Sequence, residues 1–303
     1  MDSPIRAFFA PHCCGSNQTE ERSTLSKING PLNFEAHGQA GAPPMVFVHP
    51  NPMDNTSWMY QVAHFSTWFR CISIDLPGYG RSPSARPGLA MEEIAAACWD
   101  AVDQVPDASG RAVLVGCSVG SEMVQHMYHL RPEHVSALVV SGASWKPVKD
   151  YTDQRIRQYG EGIGIRFQHA LDDFSPQFRE SPMGQWFARM FVERNQWADA
   201  ETIATMFKAL AAPDPEYLQR DLNVPVLIQS GSLDVVHKEA YVLRDRLPNA
   251  ELVAFNDVGH ACQIEQPWKF DAEMIRFLRK HGHDHLPAAV GAPADDERPS
   301  NDS

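Results

Sequence analysis

The stretch Ala112-Val113-Leu114-Val115-Gly116-Cys117-Ser118-Val119-Gly120 decides the reading of this chain. An apolar run of strand character, Ala112 to Val115, leads into Gly116. Beyond the serine, Val119, Met123, Met127 and Leu130 recur at helical spacing, and Pro132 closes the segment. The pattern is strand, tight turn, helix, with Ser118 at the apex. In that setting Gly-x-Ser-x-Gly reads as a nucleophile elbow, a turn sharp enough to push its apex side chain outward and to demand small neighbours.

On either side, apolar runs alternate with helical stripes. Upstream, Met45–Val48 and Cys71–Ile74 read as strands, separated by a stripe carrying Trp58, Val62 and Phe65. A second stripe, Ile94, Cys98, Ala101 and Val105, precedes the elbow. Downstream, Val135–Val140, Val224–Gln229 and Glu251–Phe255 read as further strands, and a last helix carries Phe270, Met274, Phe277 and Leu278. Strands that are apolar throughout, alternating with helices, specify a parallel sheet covered on both faces. Near the start, Thr24–Ile28 and Leu32–His37 are weaker strands, and Asn29-Gly30 between them signals a hairpin. The rhythm breaks from Trp145 to Asn223, where helical stretches rich in aromatics replace strands.

The expected organisation is therefore an irregular arm over 1–23, a core over 24–144 and 224–281, a helical insertion over 145–223 and a disordered tail over 282–303. Composition agrees with one globular unit: 303 residues, 43% hydrophobic and 21% charged. A net charge of −12 without a Lys/Arg run argues against nucleic acid as a partner. No apolar run is long enough to span a membrane, and the patch Ala7–Ala10 is too short for a secretory signal, so a cytoplasmic protein, monomeric or homodimeric, is expected. The six cysteines form no Cys-x-x-Cys pair and read as reduced thiols, with no metal and no cofactor expected. Cys117 and Cys262, close to the expected chemistry, read as small packing residues, although their position also suggests that thiol reagents would crowd the pocket. His281-Gly282-His283-Asp284-His285 falls in the tail and reads as a solvated histidine-rich run.

A serine hydroxyl needs a base, a carboxylate to orient that base, and donors for the oxyanion. In an open parallel sheet these lie past the carboxyl ends of strands. Asp234, in Ser230-Gly231-Ser232-Leu233-Asp234 after the Val226–Gln229 run, is the expected acid, because the loop Ser141–Ser144 holds none. His260, in Asn256-Asp257-Val258-Gly259-His260 after the last strand, is the expected base; His237 and Asp257 are the rivals nearby. The main-chain N–H groups of Val119 and Asn51 are the expected oxyanion donors, since Pro50 and Pro52 have none. His49 is expected to orient its loop rather than take part in chemistry.

Taken together, His49-Pro50-Asn51-Pro52, Asp75-Leu76-Pro77-Gly78-Tyr79-Gly80-Arg81-Ser82, the elbow, Gly231-Ser232-Leu233-Asp234 and Gly259-His260 resemble the α/β-hydrolase superfamily over about Leu25 to Lys280. The resemblance implies an eight-stranded, mostly parallel sheet with helices on both faces and a helical cap inserted after the sixth strand. The surroundings are similar to the haloalkane dehalogenase and epoxide hydrolase branch. Two departures stand out: Pro50 replaces that branch's glycine, and Ser118 replaces its aspartate nucleophile. A serine with a histidine base suits acyl transfer instead. The expected activity is hydrolysis of a small to medium apolar carboxylic ester through an acyl-enzyme, with activity falling as pH drops through about 6 to 7. C–C bond, lactone and amide hydrolysis fit the same residues, and a ligand receptor on a hydrolase scaffold is the alternative of another class. Trp145, Trp186, Phe187 and Met190, with other aromatic and Met residues of the insertion, are expected to line an apolar substrate pocket.

Overall fold

The computed structural model describes residues 27–146, 149–211 and 221–287. Its centre is a seven-stranded sheet: β1 (Phe34–His37), β2 (Pro44–Val48), β3 (Arg70–Ile74), β4 (Ala112–Cys117), β5 (Val135–Ser141), β6 (Val226–Gly231) and β7 (Ala250–Phe255). The spatial order is β1-β3-β2-β4-β5-β6-β7, with β1 antiparallel to β3 and the other pairs parallel. Every residue of β2, β4 and β6 is buried, as expected of strands covered on both faces.

Helices α1 (Met59–Phe65), α2 (Met91–Asp103) and α3 (Val119–Leu130) occupy the positions that the apolar stripes specify. Between β5 and β6 the described chain is helical: α4 (Lys149–Gly160), α5 (Arg166–Asp172), α6 (Pro176–Glu180), α7 (Pro182–Arg194) and α8 (Ala200–Leu210). α9 (His237–Arg246), α10 (Cys262–Glu265) and α11 (Pro267–Lys280) complete the described elements. In α11 the stripe Phe270, Met274, Phe277 and Leu278 is fully buried, packing on one sheet face with Met45, Phe47 and Val115. Burying one such side chain contributes about 1.5–3 kcal/mol. α7 begins with Ser181, whose hydroxyl accepts from Gly184 N–H, followed by Pro182 at a position where no N–H is needed.

Three expectations change. Among the described residues the sheet has seven strands rather than eight. Asn29-Gly30 does not turn a hairpin: Ile28 instead makes an isolated antiparallel bridge with Ala85. Asn29 N–H donates to Ser84 O at 3.0 Å and Arg86 N–H to Lys27 O at 2.7 Å, so a distant loop takes the hydrogen bonds that a hairpin partner would have supplied. The start of the expected disordered tail packs as well: Leu286 is 2% exposed in the core, and His283 and His285 lie against the Phe69 ring. Residues 1–26 and 288–303, which include all of the expected arm and most of the expected tail, lie outside the described residues.

Charged and polar side chains join the helical segment to the sheet. Asp54, fully buried after β2, accepts from Arg194 Nε at 2.9 Å and Asn195 Nδ2 at 3.2 Å. Asn195 Oδ1 accepts from Gly80 N–H at 2.7 Å, and Thr202 Oγ1 from Ala85 N–H at 3.0 Å. Asp54, Gly80 and Ala85 lie in loops after β2 and β3, so the insertion is fixed over the sheet's carboxyl end.

Candidate active site

Ser118 stands between β4 and α3 with φ 56° and ψ −120°, a left-handed conformation that a non-glycine residue adopts only under constraint. The constraint is packing of the turn against its surroundings. A Cβ on Gly116 would fall 2.1 Å from Gly120 O, and one on Gly120 would fall 2.1 Å from Val48 O. Glycine is therefore required at both places for α3 to start directly against the ends of β2 and β4. Ser121, which sequence reasoning passed over, braces the same turn: its hydroxyl lies 2.7 Å from Ser141 O and 3.0 Å from Gly116 O, and it accepts from Ser141 N–H at 3.1 Å.

Asp234 and His260 come together from the loops after β6 and β7. His260 Nδ1 lies 2.9 Å from Asp234 Oδ2, while the other carboxylate oxygen, Oδ1, accepts from Val236 N–H at 3.1 Å. With Nδ1 donating to the carboxylate, Nε2 is left as the basic nitrogen. Burial works against the charged ring, but Asp234, with Asp173 adding its charge, raises the His260 pKa to about 9.

The loop carrying His260 is clamped to the helical insertion. His260 N–H and Ala261 N–H both donate to Asp173 O, at 2.8 and 3.1 Å. Glu265 joins the two sides: Oε1 accepts from Gly259 N–H and from Ser175 N–H, each at 2.9 Å, and Oε2 accepts from the Ser175 hydroxyl at 2.5 Å. Burial raises the Glu265 pKa against these hydrogen bonds.

Ser118, Val119, Asp234 and His260 share one cavity of about 350 Å³. Phe174, Phe207, Leu210, Leu233 and Val235 supply apolar wall, and Gln125, Tyr151, Arg155 and Asp173 supply polar wall. Val119 is the first residue of α3, where main-chain N–H groups have no partner within the helix. Asn51 is not on this cavity wall; it is 3% exposed in the loop after β2, and both atoms of its side-chain amide lack a partner. His49 is fully buried and accepts from Leu76 N–H through Nε2 at 2.9 Å, with Nδ1 2.9 Å from Pro50 O, so it ties two loops together as expected. His237 starts α9, 3.0 Å from the Ser230 hydroxyl, and Asp257 is exposed.

None of the four residues expected to line the pocket borders this cavity. Trp145 packs on the main core with the Arg246 guanidinium 4.0 Å from its ring centre. Phe187, 1% exposed, and the half-buried Met190 pack a seam with Met53, Phe174 and Ile264. Trp186 is 51% exposed. The reason is helical phase: α7 turns Phe187, Ala188 and Phe191 inward, which leaves Trp186 on the outer face. The wall residues that were missed carry a sequence signal of their own. The buried positions of α4 are Thr152, Arg155 and Tyr159, polar side chains at helical spacing where apolar ones would build a core. Cys117 and Cys262 are fully buried packing residues, and burial raises both thiol pKa values.

A hydroxyl on a strained turn, a paired imidazole and the Val119 main-chain N–H at a helix start on one cavity can carry out acyl transfer. Among the described residues no group of three His, Cys, Asp or Glu is placed to hold a metal ion, and no helix is long and apolar enough to cross a membrane.

Comparison with known proteins agrees with the fold. The chain is 26% identical over 266 residues to the pimeloyl-[acyl-carrier protein] methyl ester esterase of Vibrio vulnificus, covering 82% of this chain and 98% of that one. It is 25% identical over 258 residues to the dihydrolipoyllysine-residue acetyltransferase component of the acetoin cleaving system of Pseudomonas putida, covering 82% of this chain and 66% of that protein. Among solved structures, the enol-lactonase from Burkholderia xenovorans LB400 superposes with a TM-score of 0.75 at 21% identity, covering 83% of this chain and 98% of its own. A thermophilic esterase from Thermogutta terrifontis superposes with a TM-score of 0.71 at 24% identity, covering 84% and 97%. The family model described as "Alpha/beta hydrolase family" matches residues 45–270, a span that includes Ser118, Asp234 and His260. With a sheet of this order and a match over most of its length, the chain belongs to the alpha/beta hydrolase family.

Proposed function

We propose that the protein is a serine hydrolase that cleaves a carboxylic ester through an acyl-enzyme on Ser118. The observation that carries this reading is the pairing of His260 Nδ1 with Asp234 Oδ2 on the cavity that Ser118 borders. Ser118 Oγ attacks the ester carbonyl and its proton passes to His260 Nε2. The tetrahedral oxyanion is held by the main-chain N–H of Val119, which borders the cavity, whereas Asn51 does not. The C–O bond to the alcohol then breaks and His260 returns the proton to the departing oxygen. Water, losing a proton to His260, attacks the acyl-enzyme, and the acid leaves as Ser118 regains its proton. Asp234 keeps the imidazole oriented and stabilises its charged form. The helical segment between β5 and β6 acts as the cap of this site and supplies the wall that selects the acyl group.

The esterase among the relatives and the match to the alpha/beta hydrolase family support ester hydrolysis as the reaction class. The four described cysteines are all free, in keeping with a cytoplasmic protein. Ser118→Ala should lose ester hydrolysis on the order of 10⁴-fold or more and lose labelling by a fluorophosphonate probe. Unchanged turnover in that variant would overturn the reading.

A further inference from the structure

The apolar substrate expected from the sequence does not match the far wall of the cavity. Three side chains there are at least nine-tenths buried and each holds a polar atom without a protein partner. Gln125 on α3, 5% exposed, donates through Nε2 to Ser121 O, leaving Oε1 unpaired. Asp173, 3% exposed after α5, has Oδ2 unpaired. Arg155 on α4, 4% exposed, has Nε unpaired, while its other nitrogens reach Asp172 at 3.0 Å and Gln158 at 3.2 Å. All three residues border the cavity that holds Ser118 and His260.

A buried polar atom without a partner costs about 1–3 kcal/mol, and three of them on the wall of one cavity point to a ligand that pairs with them. The set is two acceptors and one donor. A carboxylate on the substrate would meet Arg155 already neutralised by Asp172, with Asp173 beside it. An ammonium would meet the guanidinium. A hydroxyl or a carboxamide offers a donor and an acceptor together and carries no charge.

We propose that this wall recognises an uncharged hydroxyl or carboxamide on the substrate of Ser118, so that the preferred substrates are hydroxylated or amide-bearing esters. The proposal rests on the serine-hydrolase reading and narrows its substrate class. Burial also pushes the Asp173 carboxyl up to about 7, against the pull of His260 and Arg155. A hydroxyl can pair with either protonation state of that group.

The test is kcat/KM on three sets of methyl esters, followed by titration of the released acid: plain aliphatic acyl chains, the same chains carrying one hydroxyl at successive carbons, and half-esters ending in a carboxylate. At least one hydroxylated ester should exceed its plain counterpart by about tenfold or more, and the half-esters should be the poorest. Gln125→Met and, separately, Asp173→Ala should each reduce that ratio at least about threefold. The ratio is internal to each variant, so a loss of folded enzyme does not move it. Plain esters or half-esters preferred throughout, or a ratio unchanged in both variants, would overturn the proposal. If Ser118 labels with the fluorophosphonate probe and plain esters turn over, that failure touches the recognition wall alone. Absence of both labelling and turnover overturns the serine-hydrolase reading with it.

Discussion

Gly142 lies flat against the imidazole of His260: a Cβ at position 142 would stand 2.5 Å from Cε1 and 2.8 Å from Nδ1. The residue also has φ +55°, a conformation that L side chains rarely adopt. It follows β5, the neighbour of β4, whose last residue Cys117 precedes Ser118, so the floor under His260 is set by the strand beside the one that leads to Ser118. Gly142→Ala should therefore displace the ring by several tenths of an ångström. We expect kcat to fall about 100-fold with a small change in KM, and stability to drop by about 1–2 kcal/mol. Steady-state kinetics with thermal denaturation checks both. An alanine variant as active as the parent would show that the ring is not held by this contact.

The pH profile should place the base far from a free histidine. Burial lowers the His260 pKa, the facing carboxylates Asp234 and Asp173 raise it, and Arg155 lowers it; the balance is about 9. The resting ring is therefore charged at neutral pH, and the basic form appears as pH rises through about 9. We expect kcat/KM to climb with pH and level off above that value, rather than falling only below about 6 to 7 as an unperturbed ring would make it. Asp234→Asn should move the inflection down by at least about one unit and lower the plateau by about 10³-fold or more. The stabilising share of this pair is present below the ring's unfolded value of about 6.5 and is lost as pH rises through about 9. A parent inflection near 6.5 would show that Asp234 and Asp173 do not raise the His260 pKa above its ordinary value.

Glu265 links Ser175, in the helical segment between β5 and β6, to Gly259 beside His260. Replacing it with Leu removes both acceptor oxygens and leaves the Gly259 and Ser175 N–H groups and the Ser175 hydroxyl without them. Glu265→Leu should lower kcat about 10-fold or more and cost about 1–3 kcal/mol of stability, while leaving the His260 inflection where it was. An inflection that shifts as far as in Asp234→Asn would mean that Glu265 acts through charge rather than position.

Thiol reagents should act slowly. Cys71, Cys98, Cys117 and Cys262 are all buried, and burial raises the pKa values of Cys71 and Cys98 to about 12. The thiolate is the reactive form, so modification of these four should wait on unfolding. The crowding of the pocket that the positions of Cys117 and Cys262 suggested should therefore not be seen. Rapid inactivation by iodoacetamide under native conditions, with modification mapped to Cys117 or Cys262, would contradict this.

What could be read from the sequence was local. Apolar runs and helical stripes depend on a few neighbouring residues, so the strands, α3 and α11 fall where periodicity puts them. Ser118, Asp234 and His260 could be expected on one side of the sheet because each lies in the segment after a strand, and a parallel sheet gathers strand ends on one side. Packing between distant segments decided the rest. Asn29-Gly30 looked like a hairpin because the Ser84–Arg86 loop that satisfies its neighbours lies more than fifty residues away. Trp186 and Phe187 are adjacent and equally aromatic, yet one faces solvent and the other the seam, because only the docking of α7 sets which side of the helix is covered. Arg155, Asp173 and Gln125 belong to three elements that meet only when the helical insertion closes over the sheet. The sequence by itself determined the parallel strands of the sheet and the strand–turn–helix around Ser118, because strand, turn and helix are written in short-range patterns. The tertiary structure alone decided the wall facing Ser118, because burial and pairing of a polar side chain depend on what the fold brings against it.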